Sequence, residues 1–538
     1  MWKLTLVIVW SIFFYLLKPA EVSACTNILV TKGASKNKSV MITYSCDGEF
    51  LPHLRYIPAK DHAPDEFIEI RGWDGKIKGK IKQVPHTYAV VGLMNEHQLA
   101  IGETTFDGRK ELRNPDGLLH YWTLMQLALQ RAKTAREAIK VITDLVEEYG
   151  YASTGETFSI ADPNEAWIMD MIGPGPGGHG AEWVALRIPD GYVSCHANQS
   201  RIGEFPLDDK KNCLYSKNVI SFAIEKGYYD PKSGKPFRFN EAYCPPDPKT
   251  LRYCATRVWS ILRRCAPSLH LSPDYHRGVK GASPYPLWVK PDKKLSLQDV
   301  FSLMRDHYEG TPYDMTKGVD AGPFGTPNRW RPITWKVDSV EYAWERPIST
   351  QQTGFSFVSQ SRSWLPDPIG GVLWYGMDDT YTTCYVPLYC GINDVPKSYT
   401  VGSLQKFSWD SAWWVFNFVA NIANLKYSYM IKDIQKVQRE LENSAVVLQP
   451  AVEKTALALR KSDPQLMVRY LTNYSVSHAE KVVRRWKKLG EDLMTKYNDG
   501  YVKDEKGRPK AVGYPESWLR EVIRSRPEQF KLKKWDKK

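Results

Sequence analysis

Cys25-Thr26-Asn27-Ile28-Leu29-Val30-Thr31 and, after a polar turn over 33–38, Ser39-Val40-Met41-Ile42-Thr43-Tyr44-Ser45-Cys46-Asp47 decide the reading of this chain. In an extended backbone Asn27, Leu29 and Thr31 share one side, and Thr26, Ile28 and Val30 share the other. Val40, Ile42 and Tyr44 alternate in the same way. Two short alternating runs joined by a turn predict a β-hairpin. Ahead of it, Lys3 precedes fourteen uncharged residues, 4–17, then Lys18-Pro19 and Val22-Ser23-Ala24. A basic start, an apolar run and small residues before Cys25 read as a cleavable export leader over 1–24. The apolar run falls short of the about 20 residues that span a bilayer. An uncleaved N-terminal anchor is the other reading.

Cleavage before Cys25 would place two functional groups on one residue. The thiol is a nucleophile, and an α-amine of reference pKa about 7.7–8.0 is partly neutral at pH 7 and serves as base. Their proximity is built into the residue itself. The same four residues, Val22 to Cys25, also fit a lipid-attachment site, and a structural disulfide at Cys25 is a third reading. The nine cysteines (25, 46, 195, 213, 244, 254, 265, 384 and 390) are an odd number, so at least one thiol is left over. Setting Cys25 aside leaves eight that could pair in an exported chain. No C-x-x-C, H-E-x-x-H or G-x-S-x-G occurs.

The 538 residues allow about three domains, or one large elaborated one. A content of 19 Trp, 30 Tyr and 18 Phe excludes a disordered chain. The net charge is +13, and residues 481–538 carry 18 Lys/Arg against 9 Asp/Glu. Because both signs alternate there, a solvated helical face is expected rather than a nucleic-acid site. Further strands are expected around 87–94, 99–105, 157–161, 166–171, 182–188, 192–197 and 352–378. Helices are expected from Gly117 through Ala132, from the capping box Thr134-Ala135-Arg136-Glu137 to Gly150, over 256–265 and 297–307, and through most of 408–498. Gly173-Pro174-Gly175-Pro176-Gly177-Gly178 matches G-x-G-x-x-G, but a strand rather than a helix follows, so a hairpin loop is expected. Strands, helices and strands in that order predict mixed sheets packed with helices.

Several blocks carry a resemblance in order: Cys25 to Val30, Cys46-Asp47, Asn95-Glu96, Leu99-Ala100-Ile101-Gly102-Glu103-Thr104-Thr105, Asp162-Pro163-Asn164-Glu165-Ala166-Trp167, His196-Ala197-Asn198-Gln199-Ser200-Arg201, Arg257-Val258-Trp259 and Ala321-Gly322-Pro323-Phe324-Gly325-Thr326-Pro327. Over about residues 25–400 the chain resembles the cysteine-nucleophile dipeptidases, the group containing dipeptidase D and the secernins, within the N-terminal-nucleophile (Ntn) hydrolases.

The resemblance implies an α+β fold, a four-layer αββα sandwich over 25–407 with long loop insertions, followed by a helical, basic C-terminal region over 408–538. It implies Cys25 as nucleophile, Asp47 holding the α-amine, Asn198 donating to the developing oxyanion and Arg257 beside the nucleophile. On the bare sequence Asn198 is equally a turn residue and Arg257 a surface residue. Related bile-salt and penicillin acylases carry an arginine three residues before the aspartate, where this chain has Tyr44. Their extra oxyanion asparagine falls near Thr104 or Thr105. The expected activity is hydrolysis of dipeptides or short peptides by an exported enzyme, periplasmic or extracellular. No cofactor, no nucleic acid and no membrane span in the processed form are expected, and a homo-oligomer is left open. A non-peptide amide acylase and a lipid-anchored, non-catalytic binding protein are the alternatives.

Overall fold

The alternation at Cys25 is realised as a strand at the centre of a sheet. The computed structural model describes residues 24–532, so the leader expected over 1–24 lies, apart from its last residue, outside the described residues. In chain order the main elements are β1 (Ala24–Val30), β2 (Val40–Asp47), β3 (Ala100–Phe106), α1 (Tyr121–Arg131), α2 (Ala135–Tyr149), β4 (Gly155–Ala161), β5 (Ala166–Ile172), β6 (Glu182–Arg187), β7 (Val193–His196), α3 (Thr256–Cys265), β8 (Thr353–Ser361), β9 (Val372–Met377), β10 (Val386–Tyr389), α4 (Ala412–Ala423), α5 (Tyr427–Ser462) and α6 (Pro464–Tyr497).

Two large antiparallel sheets result. The first runs Trp288–Val289, β7, β1, β2, β8, β9, β10; the second runs Cys213–Tyr215, β6, β5, β4, β3, Met94–Asn95, Val90–Val91, Tyr56–Ile57. β1 and β2 lie against β3 and β4. The alternation of β1 explains how both its faces are buried. Asn27 bonds Ser159 of β4 at 3.1 Å, so Cys25, Asn27 and Leu29 face the second sheet. Ile28 pairs with Cys195, whose thiol meets the Val258 carbonyl of α3 on the opposite side. α1 and α2 cover the outer face of the second sheet, while α3 packs on β7, α4 on β9 and α6 on β10. The stacking is therefore helix, sheet, sheet, helix. Gly102 lets the sheets approach here: a Cβ on it would lie 2.7 Å from the Asn27 side chain and 3.1 Å from Tyr44 Cβ.

Local signals act as their chemistry demands. Thr134 caps α2 by accepting from Glu137 N, Glu137 reaches back to Lys133 N, and Gly150 ends the helix at φ 76°. The glycine-rich run 173–178 joins β5 to β6, whose residues pair as Ile172 with Glu182. Two helices are shorter than their sequence suggests. α1 begins at Tyr121 because Leu119 is bridged to Tyr151. The helix Leu297–Met304 stops before His307 because Tyr308 takes a positive φ of 67°. All nine cysteines are buried and none is in a disulfide. Among the described residues no helix is long and apolar enough to cross a membrane.

The C-terminal helices share one hydrophobic core with the sheets, which extends from Cys25 to Tyr497. A buried ion pair fastens them: Arg305 donates to Glu442 at 2.5 and 3.0 Å, and Glu442 also accepts from Tyr385 N at 2.9 Å. Removing one partner would strand a charge in the interior, which costs about 3–5 kcal/mol. Glu442→Ala is expected to lower unfolding stability by that amount, read as a lower denaturant midpoint.

Candidate active site

Cys25 is buried on β1, with Cys46 opposite it on β2. Three elements distant in sequence converge on it. Asn198 follows β7 in the left-handed region at φ 54°, a conformation asparagine tolerates. Its Oδ1 accepts from Cys25 N at 2.8 Å, and its Nδ2 donates to the Thr105 carbonyl at 2.6 Å. Arg257, on α3, is buried rather than on the surface. It donates to the Cys25 carbonyl at 2.6 Å, to Thr26 Oγ1 at 2.9 Å, to Asn198 Oδ1 at 2.9 Å and to the Ala197 carbonyl at 3.3 Å. Burial, then the nearby Arg346 charge, brings the Arg257 guanidinium down to about 10. Two donors on Oδ1 fix which way the Asn198 amide points.

Asp47 ends β2 and sits across from Ala24. Its carboxylate accepts from Arg346 at 2.6 Å and from Thr353 Oγ1 at 2.6 Å. Asp47 therefore adds little uncompensated negative charge beside Cys25, because a guanidinium is paired with it.

The thiol itself faces the other way, into the space between the sheets. Cys25 Sγ lies 3.7 Å from Glu103 Oε1 of β3 and 3.9 Å from Tyr44 Oη of β2. Tyr44, which stands where related enzymes have an arginine, donates to Glu103 Oε1. Thr105 donates to Glu156 Oε1 of β4 at 2.8 Å, as their paired positions in the two strands dictate. Glu103 and Glu156 are diagonal neighbours on the paired strands β3 and β4, and both are wholly buried. Burial pushes the Glu103 carboxyl up, against the hydrogen bonds from Glu156, Tyr44, Cys25 and Thr105. Burial and then the Glu103 charge push Glu156 well up. Burial foremost, with the Cys46 hydrogen bond and the Glu103 charge behind it, raises the Cys25 thiol well above its ordinary range.

His196 does not serve the thiol. Its ring nitrogens are bonded to Thr104 Oγ1 and Ser159 Oγ, each at 2.7 Å, and burial keeps it well below the ordinary histidine range. The four residues singled out from the sequence thus lie around one strand start. Asn198 and Arg257 are bonded directly to Cys25, and Asp47 is held by Arg346. Sequence reasoning did not single out Glu103, Glu156 or Arg346. The signal available was a lone acid in each of two otherwise uncharged strand segments, in the middle of Ala100–Phe106 and next to the start of Gly155–Ala161.

The chain is 27% identical to a probable dipeptidase of Salmonella dublin over 402 residues, covering 70% of this chain and 83% of that protein. It is 25% identical to a probable dipeptidase of Latilactobacillus sakei, covering 76% and 82%. It is 24% identical to the probable dipeptidase A of Streptococcus pyogenes serotype M3 (strain SSI-1), covering 88% and 98%. The signature of Peptidase family C69 matches residues 62–440, a span that contains Asn198, Arg257, Glu103 and Glu156 and begins after Cys25 and Asp47. With most of its length matched, the chain belongs to peptidase family C69 and is a cysteine-type peptidase hydrolase.

Proposed function

We propose that the protein is an exported dipeptidase, periplasmic or extracellular, of the N-terminal-nucleophile type, whose nucleophile Cys25 is exposed when residues 1–24 are removed. Residues 25–407 carry the machinery and the helical residues 408–538 buttress it. The observation that carries the reading is the bonding of Cys25 N to Asn198 and of the Cys25 carbonyl to Arg257, with the thiol beside them on a central strand. The helix–sheet–sheet–helix stacking and the dipeptidase names of the relatives support it.

In this mechanism the α-amine of Cys25, held by Asn198 Oδ1, takes the thiol proton. The sulfur attacks the scissile carbonyl carbon. The second hydrogen of Asn198 Nδ2 and a backbone N–H donate to the oxyanion, a contribution of about 10²–10³ in rate in well-studied hydrolases. Collapse breaks the C–N bond, the leaving amine takes the proton from the α-ammonium, and a thioester remains. Water, deprotonated by the freed amine, then hydrolyses the thioester and restores the thiol. Arg257 holds the strand start in place through both the Cys25 carbonyl and Asn198.

N-terminal sequencing of the exported protein is expected to begin at cysteine, and Cys25→Ala is expected to reduce dipeptide hydrolysis by about 10³-fold or more. A retained leader, an acylated terminus or an active Cys25→Ala chain would exclude the mechanism. Arg257→Lys keeps the charge but loses the planar fork, so kcat is expected to fall about 10–100-fold. The thiol chemistry has its own signature. A raised thiol holds less thiolate at pH 8 than a free cysteine, so iodoacetamide should label Cys25 of a leader-retaining chain more slowly than glutathione. Labelling should still be rising with pH above about 10, where the glutathione rate has levelled.

A further inference from the structure

We infer that Glu103, backed by Glu156, is the subsite for the α-ammonium group of the substrate, so that the enzyme takes a residue with a free amine immediately before the scissile bond. The inference rests on the reading of Cys25 as nucleophile.

The first argument is distance. A reactive pose holds the scissile carbonyl carbon about 3–3.5 Å from the sulfur. In the residue that carries this carbonyl, the α-nitrogen is two bonds away, roughly 2.5 Å from the carbon with standard backbone dimensions. A carboxylate oxygen 3.7 Å from Sγ is therefore within hydrogen-bonding reach of that nitrogen, on the second-sheet side of the carbonyl.

The second argument is charge. The partners of Glu103 among the described residues are the Tyr44 and Thr105 hydroxyls, the Cys25 thiol and the Glu156 carboxyl, and none of these is a cation. Tyr121 and Tyr151, whose hydroxyls are pushed up by burial and then by these carboxyls, stand close by. Two neighbouring carboxyls are held here away from water, and a charge on either is costly until it is paired. An ammonium group is the ligand that completes such a pair with three donors. Thr105, half-buried, bonds both carboxyls and marks their outward side. Acids poised in the interior beside a nucleophile are the pattern expected of a working site rather than of a stabilising one.

The third argument concerns the thiol. The Glu103 charge helps to hold the Cys25 proton on sulfur. A substrate ammonium bound there cancels that charge as it arrives, so the nucleophile is released by the substrate that fits.

The test compares alanyl-leucine with propionyl-leucine, which differs only in lacking the amine, on the processed full-length protein. Wild type is expected to favour alanyl-leucine by about 100-fold or more in kcat/KM, and Glu103→Gln to remove that preference. Calorimetric binding to the Cys25→Ala chain reads the subsite without turnover. There Glu103→Gln should weaken alanyl-leucine by about tenfold or more and leave propionyl-leucine unchanged. Equal handling of the two compounds by wild type, or equal loss of both in Glu103→Gln, would overturn the subsite. Selective binding by the Cys25→Ala chain, if that chain also remained as active as wild type, would keep the subsite and overturn the nucleophile instead.

Discussion

Arg257 brings a positive charge into the centre of the molecule, and the polypeptide around Cys25 is shaped to receive it. A buried guanidinium is tolerable only when its donors are matched, and here acceptors come from Tyr253, Cys25, Thr26, Ala197 and Asn198. Those acceptors belong to the helical turn before α3, to β1 and to the segment after β7. Satisfying one side chain therefore fixes three segments relative to each other. The Asn198 amide is oriented by the same contact, and with it the position of the Cys25 nitrogen.

Around this node the charges are sorted to opposite sides of one strand. Arg257 and the Arg346–Asp47 pair lie along the backbone of Cys25. Glu103, Glu156 and the tyrosines lie on its side-chain face, between the sheets. The sulfur thus sits at a boundary between a cationic and an anionic environment. At such a boundary small changes in charge shift proton positions strongly, because little water is present to screen them.

Much of this arrangement was legible in residues near one another in sequence. The β1–β2 hairpin, the capped α2, the strand-loop-strand at 173–178 and the helix over 256–265 follow from alternation, capping chemistry and turn residues, all short-range effects. The candidate residues Asn198 and Arg257 came from resemblance, and their burial could not be read from composition. Glu103 and Glu156 escaped notice because their meeting depends on the register of β3 against β4, which no local pattern states. Arg346 reaches Asp47 across a sequence separation of 299, from a segment of weak periodicity. Tyr44 was visible only as a missing arginine. Its hydroxyl is bonded to Glu103 and lies 3.9 Å from the Cys25 sulfur, so a hydroxyl and a carboxylate stand there in place of a guanidinium.

The central place of β1 bears on how the molecule is made. Its neighbours are β2 and β7, and β2 in turn is covered by β8, so the sheet around Cys25 closes only when Thr353–Ser361 has been synthesised. Pairing between segments so far apart along the chain is slow to form. The reactive thiol is consequently assembled near the end of folding rather than at its beginning, although it lies near the start of translation. On the export route proposed above, a chain still threading through a translocation channel would carry an inert cysteine, and any power to cut peptides would arise only once the finished protein had reached its destination.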